Sequence, residues 1–306
     1  MATHEVYGVQ VALLLRALPF VDEEPVFALK GGTAINLFVR DLPRLSVDID
    51  LTYVPIADRE TSLREIDMAM RRIAERVGKG IRESRTQLVP LRNEGGAVTK
   101  VLVRARGVQV KIEVTPVSRG CVYPPERRAV RPQVEERFGF AEASVVSFAD
   151  LYAGKLVAAL DRQHPRDLFD VRDLLANEGI TDELRRAFVV YVLSHNRPMA
   201  EILRPRLRDL RQEYASGFVG MTRTPVSLEE LVTVRDTLIM EIVGGMPAAH
   251  RRFLLSFKGG DPAWDELGLP EARHLPAVRW KIDNLAKLDA DKRAHLWEAL
   301  KAVLES

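Results

Sequence analysis

Alternation of apolar and polar residues predicts strands in the first part of the chain. Ser46 to Leu51 alternates strictly, which is typical of a half-buried strand. Two runs rich in β-branched residues, Ala97 to Arg104 and Val108 to Val114, flank a turn at Arg106–Gly107, so a β-hairpin is expected there. The short apolar run Val26 to Leu29 predicts an extended segment. These patterns predict strands clustered in roughly the first 120 residues.

Helical spacing of apolar residues dominates the remainder. A helix from Phe148 to Leu160 ends at His164–Pro165, and another begins at Arg166. Prolines punctuate an otherwise helical sequence after that. Strands followed by helices indicate an α+β fold, with a mixed N-terminal domain over residues 1–140 and a helical domain over residues 141–306. Further helices are expected earlier in the chain at Val6 to Leu18, Ala34 to Val39 and Asp58 to Arg76.

Composition narrows the class of protein. The chain has 306 residues, 46% of them hydrophobic, which suits one large globular domain or two modest ones. A single cysteine, Cys121, excludes a disulfide within the chain. No apolar run approaches the roughly 18 residues of a membrane span, and the N-terminus lacks the features of a secretory signal. A cytoplasmic protein without a membrane partner is therefore expected.

Arginine is concentrated in two stretches although the formal net charge is only +2. Residues 119–137 hold five arginines against three glutamates, and residues 197–223 hold six against Glu201, Asp209 and Glu213. Arginine is suited to bidentate contacts with phosphate. Solvated helix faces with ion pairs explain each stretch equally well.

The first candidate for chemistry is a pair of acids. Asp48 and Asp50 are two residues apart on a predicted strand, so both carboxylates leave the same face. Like charges held this close repel, and a cation between them relieves the repulsion. Two carboxylates with open water positions suit Mg²⁺, which also binds substrate phosphates. Taken alone, the pair is a weak signal, because many such pairs belong to exposed strands.

A glycine turn ahead of the acids strengthens the case. Gly31 and Gly32 follow the extended run and open a helix, so the backbone can approach a phosphate with helix N–H groups aimed at it. Lys30 and Thr33 flank the turn, and the Thr33 hydroxyl could cap the helix or contact phosphate. Glu113 on the predicted hairpin is a candidate third metal ligand, or else a partner in a cross-strand ion pair.

A second cluster of charged residues lies on the later helices. Lys155 and Arg162 are seven residues apart and share a helix face, from which a lysine can contact a triphosphate. Arg166 is a further candidate for nucleotide binding. Asp170 could orient Lys155, ligate metal or accept a ribose hydroxyl, and Asp167 is explained as the partner of Arg162 or Arg166.

Together these motifs resemble the AbiEii/AbiGii nucleotidyltransferase-like toxins of type IV toxin–antitoxin and abortive-infection systems, which include the mycobacterial MenT toxins. The resemblance rests on FALKGGTA (Phe27 to Ala34), RLSVDIDL (Arg44 to Leu51), Lys155, and RDLFD (Arg166 to Asp170). It covers roughly the first 180 residues. The family's serine-x-aspartate element falls on Ser46 and Asp48, and its essential lysine and following aspartate fall on Lys155 and Asp170.

The resemblance implies a DNA polymerase β-like nucleotidyltransferase domain followed by a helical domain that contributes Lys155 and Asp170 to the site. It implies a catalytic group of Asp48, Lys155 and Asp170, and Mg²⁺, or alternatively Mn²⁺, as cofactor. An NTP would be the co-substrate, an RNA such as the tRNA 3′ end the acceptor, and a cognate antitoxin the protein partner. Two alternatives stay open: transfer to a protein or a small molecule, and an inactive binding protein with this fold.

Overall fold

The computed structural model describes residues 2–91 and 96–305, in two compact units, Met1–Ser147 and Phe148–Ser306. The first unit is built on a mixed sheet and the second is helical, so the expected α+β class is confirmed. Among the described residues, no helix is long and apolar enough to cross a membrane.

The first unit contains helices α1 Ala2–Asp22, α2 Gly31–Ala34, α3 Arg59–Gly80 and α4 Pro132–Phe138, and strands β1 Phe27–Lys30, β2 Asp48–Tyr53, β3 Arg85–Pro90, β4 Val98–Ala105, β5 Val108–Val114, β6 Glu126–Ala129 and β7 Glu142–Val145.

The strands of the described residues form one seven-stranded sheet in the order β3-β4-β5-β2-β1-β7-β6. β2 lies at its centre, antiparallel to β1 and parallel to β5, and β4 and β5 form the expected hairpin. Five of the seven described strands lie in the first 120 residues, where strands were expected to cluster, and β6 and β7 lie beyond them. Each of these strands has four residues, and β6 reads ERRA, which has no apolar alternation to reveal it.

Alternation separates an apolar side of the central strands from a charged side. In β2, Ile49 and Leu51 are buried, whereas Asp48 and Asp50, which alternate with them, are partly exposed. Helix α3 lies against β3 and β4 and buries Ile66, Met70 and Ile73 at helical spacing. The helix begins at the cap residue Asp58, whose carboxylate accepts a hydrogen bond from the Thr61 amide. The acidic pair is therefore left on the charged side of a well-packed sheet.

The second unit packs its helices closely. Gly154 of α5 lies against α7, where an added Cβ would come within 3.2 Å of the Tyr191 ring. Phe188 of α7 and Phe253 of α11 are fully buried. Its helices are α5 Phe148–Asp161, α6 Pro165–Asn177, α7 Asp182–Ser194, α8 Met199–Leu203, α9 Arg211–Gly217, α10 Leu228–Ile239, α11 Ala248–Gly259, α12 Trp264–Leu267, α13 Pro276–Ala286 and α14 Ala290–Leu304, with π-helical turns at Ile35–Val39 in the first unit and Met240–Gly244 in this one, and a 3₁₀ turn at Pro270–His274.

Candidate active site

A row of four charged residues crosses the centre of the sheet. Lys30 of β1 pairs in register with Asp50 of β2, Asp50 with Glu113 of β5, and Glu113 with Lys100 of β4. The predicted carboxylate on a neighbouring strand is thus directly beside Asp50. Glu113 also forms the ion pair that was its alternative explanation, because its Oε2 lies 2.7 Å from Lys100 Nζ.

Lys111 places a positive charge among the three carboxylates. Its Nζ lies 3.4 Å from Asp48 Oδ2 and 3.5 Å from Glu113 Oε2. Burial acts to lower the pKa of Lys111, but Asp48, Glu113 and Asp50 together raise it. Burial likewise opposes ionisation of Glu113, yet Lys100 and Lys111 lower its pKa overall. The sequence signal for Lys111 is the alternation of the VKIEV run, which places it on the same face as Glu113.

Among the acids on this face of the sheet, Asp50 is the one whose surroundings disfavour the ionised carboxylate. Burial, and after it the negative charge of Asp48, raise the pKa of Asp50. Burial lowers the pKa of Lys30 despite its neighbour Asp50. A carboxylate in this position is under-compensated by its protein surroundings, which is the electrostatic condition that favours binding of a cation.

The glycine turn lies directly against the acidic strand. Gly31 has φ +78°, and a Cβ on it would be 2.6 Å from Asp50 Oδ2. A Cβ on Gly32 would lie 2.6 Å from an Arg44 guanidinium nitrogen and 2.8 Å from Ser46 Oγ. Only glycines allow this approach of backbone to side chains. The turn, Asp50 and Ser46 therefore form one compact group.

Buried polar residues hold Ser46 and the turn together. Thr33 is fully buried, and its hydroxyl lies 3.2 Å from the Ser46 hydroxyl. Asn36 donates to the Gly32 carbonyl at 2.7 Å and accepts from the Arg44 amide at 3.2 Å. The Ser46 amide in turn donates to the Tyr7 hydroxyl at 3.3 Å. Asn36 and Tyr7 were not among the residues predicted for the site, although the lone amide in the apolar run AINLFV was a signal for Asn36.

The second unit contains a buried ion-pair cluster. Lys155 Nζ lies 2.9 Å from Asp167 Oδ1 and 2.9 Å from Asp170 Oδ2, and both aspartates are 1% exposed. Arg162 donates two hydrogen bonds to Asp167, so of the two partners considered for this acid it is Arg162 that pairs. Burial opposes the ionisation of Asp167, but Lys155 and Arg162 hold its pKa far below the usual value. Arg166 is exposed, and its backbone amide donates to the His164 ring.

The donor set on the sheet suits a hard cation bound by few protein ligands. In the described part of the chain, no three His, Cys, Asp or Glu side chains are grouped to hold a metal ion among themselves. Asp48 and Asp50 nonetheless place two carboxylates on one face of β2, and Glu113 already forms ion pairs with Lys100 and Lys111. Mg²⁺ is commonly bound by one or two carboxylates with water and substrate phosphates completing the shell. The two aspartates fit that requirement.

The fold defines the class of the protein. Its structure is similar to that of MenT4, a nucleotidyltransferase toxin from Mycobacterium tuberculosis H37Rv, with a TM-score of 0.58 at 18% sequence identity, over 98% of this chain and 92% of that one. The mixed sheet bearing the acidic pair and the helices that follow it thus share the fold of that toxin. The sequence model described as the nucleotidyl transferase AbiEii toxin of type IV toxin–antitoxin systems matches residues 12–284, so the chain belongs to that family. No curated protein matches the sequence.

Proposed function

We propose that this toxin transfers a nucleotide from an NTP to an RNA acceptor, at the 3′ end of tRNA, with Mg²⁺ or Mn²⁺ as cofactor. The observation that carries the proposal is the contact between the glycine turn and the acidic strand. Gly31 brings backbone against the Asp50 carboxylate, and Asp48 leaves the same face two residues earlier. This arrangement supports a triphosphate on the turn with its phosphates next to the acids.

In the proposed mechanism, Asp48 and Asp50 would hold the divalent ion. The ion would supply positive charge to the phosphates as negative charge develops on the leaving pyrophosphate. Gly31, Gly32 and Ser46 cradle the triphosphate, with Lys30 and Thr33 shaping the turn. The acceptor hydroxyl attacks the α-phosphorus, the bond from that phosphorus to the bridging oxygen breaks, pyrophosphate departs, and the hydroxyl proton is lost to water. Most of the acceleration then comes from positioning and from charge stabilisation.

The buried cluster is proposed to serve the same reaction. Lys155 provides positive charge for the triphosphate, and Asp170 orients it through their 2.9 Å contact. The Arg162 side chain is 61% exposed even though it pairs with Asp167, so it and the exposed Arg166 are available to the nucleotide or the acceptor. Asp167 fixes Lys155 and Arg162 relative to each other.

Membership of the toxin family also supports an antitoxin as the protein partner. Modification of the tRNA 3′ end would block aminoacylation and so stop translation. Incubation of the full chain with total RNA and each α-labelled NTP in turn tests the proposal. Label in a tRNA-sized band that disappears with EDTA supports it. Label in protein or in a small molecule would instead identify a different acceptor, and metal-independent or absent NTP binding in calorimetry would indicate an inactive protein.

A further inference from the structure

The segment between α8 and α9 carries arginines in an unusual setting. Residues 204–210, called the arginine loop below, have no regular secondary structure. Arg204, Arg206 and Arg208 are all exposed. The ends of the loop are anchored by Leu203 and Leu210, which are 1% and 4% exposed. Exposed cations are therefore held on a short segment tied to the core at both ends.

Two buried side chains fix the backbone of the loop. Gln163, which is 1% exposed, donates to the Arg206 carbonyl at 2.9 Å and accepts from the Arg208 amide at 3.0 Å. The guanidinium of the buried Arg235 donates to the Arg208 carbonyl at 3.0 Å. Gln163 has φ +50°, a conformation that costs a non-glycine residue about 1 kcal/mol. The conformation of the loop is thus specified from within the unit.

The three arginines of the loop lack the ion pairs that several exposed arginines of the unit form. Arg211 and Arg252, for example, each pair with a carboxylate, at 2.7 and 2.8 Å. Within residues 148–305, the side chains of Arg204, Arg206 and Arg208 have neither an ion pair nor a hydrogen bond. Their positive charge is therefore left for a ligand outside the unit. Ion pairing within the unit therefore does not account for three exposed arginines at alternate positions of one short segment.

A cavity of about 410 Å³ lies beside the loop, within the second unit. Its two carboxylates are already compensated, because Asp161 pairs with Arg197 and Asp209 pairs with Arg211. Arg206 and Arg208 also line the cavity, and they add positive charge that no carboxylate of the unit compensates. The cavity is lined by Asp161, Gln163, Arg197, Pro205, Arg206, Leu207, Arg208 and Asp209.

We infer that the arginine loop and this cavity bind phosphate groups of the RNA backbone. The identity of the ligand as the acceptor RNA rests on the proposed function. Guanidinium groups bind phosphate oxygens in a bidentate manner, and phosphate contacts dominate affinity for nucleic acid. A protein partner would need an apolar core to its interface, whereas in residues 204–210 Leu207 is the one large apolar side chain that is exposed.

The test is RNA binding by the full chain, measured by fluorescence anisotropy with labelled tRNA and without NTP or metal. The variant R204Q/R206Q/R208Q removes three charges, and R252Q/R273Q/R279Q removes three from exposed positions elsewhere in the same unit. We expect the loop variant to bind at least about 10-fold more weakly near 0.1 M salt, with the salt-dependence slope reduced by about 2. The control variant should stay within about 2-fold of the wild type.

An equal loss in both variants, or unchanged binding by the loop variant, would overturn the inference. Binding of an acidic protein that depends on the loop, with no effect on tRNA, would assign the surface to that partner instead. Gln163→Met adds a test of positioning, because it keeps every arginine and removes both hydrogen bonds to the loop. We expect it to weaken tRNA binding while near-ultraviolet circular dichroism stays native.

Nucleotide transfer gives an independent readout. Loss of tRNA binding in the loop variant, with label still entering RNA at a raised KM, supports both proposals. Label entering a non-RNA acceptor refutes the proposed acceptor, whereas the anisotropy result decides the role of the loop on its own.

Discussion

Lys111 Nζ lies 3.4 Å from Asp48 Oδ2, on the face of the sheet where a divalent ion is proposed to bind. The same ammonium group lies 3.5 Å from Glu113 Oε2. The Lys111 ammonium group neutralises part of the negative charge of Asp48 and Glu113 when no metal is bound. It would also repel a metal cation that binds to these carboxylates. Lys111 therefore sets how strongly the sheet attracts a cation.

Replacing Lys111 by methionine is expected to tighten metal binding. A unit charge at about 4 Å contributes about 1 kcal/mol even in a medium as polar as water, which corresponds to roughly 5-fold in affinity. Isothermal calorimetry with Mn²⁺ measures the change. Lys100→Met is the matched control, because Lys100 pairs with Glu113 at 2.7 Å. Weaker Mn²⁺ binding by Lys111→Met than by the wild type would contradict this account.

Gly31→Ala is expected to cost far more stability than a glycine substitution elsewhere. Gly107 provides the control, since it has φ +79° and open space where a Cβ would be added. Gly107→Ala should lose about 1 kcal/mol from backbone strain alone. Gly31→Ala adds a clash 2.6 Å from Asp50 Oδ2 and should lose about 3 kcal/mol or more. Urea unfolding measures the free energy of unfolding of both variants. Equal losses of stability would show that the close approach to Asp50 does not constrain the turn.

Asp50→Asn is expected to stabilise the metal-free protein while abolishing transfer. Burial and the charge of Asp48 make the Asp50 carboxylate unfavourable, so the neutral amide should raise the free energy of unfolding by about 1 kcal/mol. Asp67→Asn should lower the free energy of unfolding, because Asp67 accepts hydrogen bonds from Arg71 and the Val98 amide. Denaturation in EDTA measures the free energy of unfolding of both variants. A less stable Asp50→Asn protein would mean that Asp50 serves the fold.

Asp167 is expected to contribute stability that depends on pH. Its folded-state pKa is depressed by Lys155 and Arg162, so its contribution is fully present above the unfolded value near pH 4 and is lost as pH falls below it. Asp167→Asn should cost about 3 kcal/mol at pH 7, since it breaks a buried ion pair. The difference from wild type in urea unfolding should be constant from about pH 6 to 8 and shrink below about pH 4. Loss of the difference as pH rises would contradict the ion pairing.

Local pattern was enough to predict the central part of the site. Strict alternation placed Asp48 and Asp50 on one face, and the structure finds both on the charged side of β2. The glycine pair at the end of an extended run predicted a turn, and Gly31 adopts the positive φ that such a turn requires. Helical spacing likewise located Lys155 on α5.

Contacts between distant segments could not be predicted in this way. β6 is held in the sheet by β7, a pairing that no short-range pattern encodes. Thr33 and Ser46 are thirteen residues apart, and their hydroxyl contact depends on how the turn meets the loop before β2. The buried Gln163 is in a similar position, because its partners on the arginine loop lie more than forty residues away.

The central claim is that Asp48 belongs to a metal-dependent nucleotide-transfer site. The most direct measurement compares the initial rate of label transfer from an α-labelled NTP to tRNA by wild type, Asp48→Asn and the exposed-strand control Glu126→Gln. The account predicts a loss of at least about 100-fold in Asp48→Asn at saturating metal, with Glu126→Gln unchanged. Transfer by Asp48→Asn at the wild-type rate would contradict it.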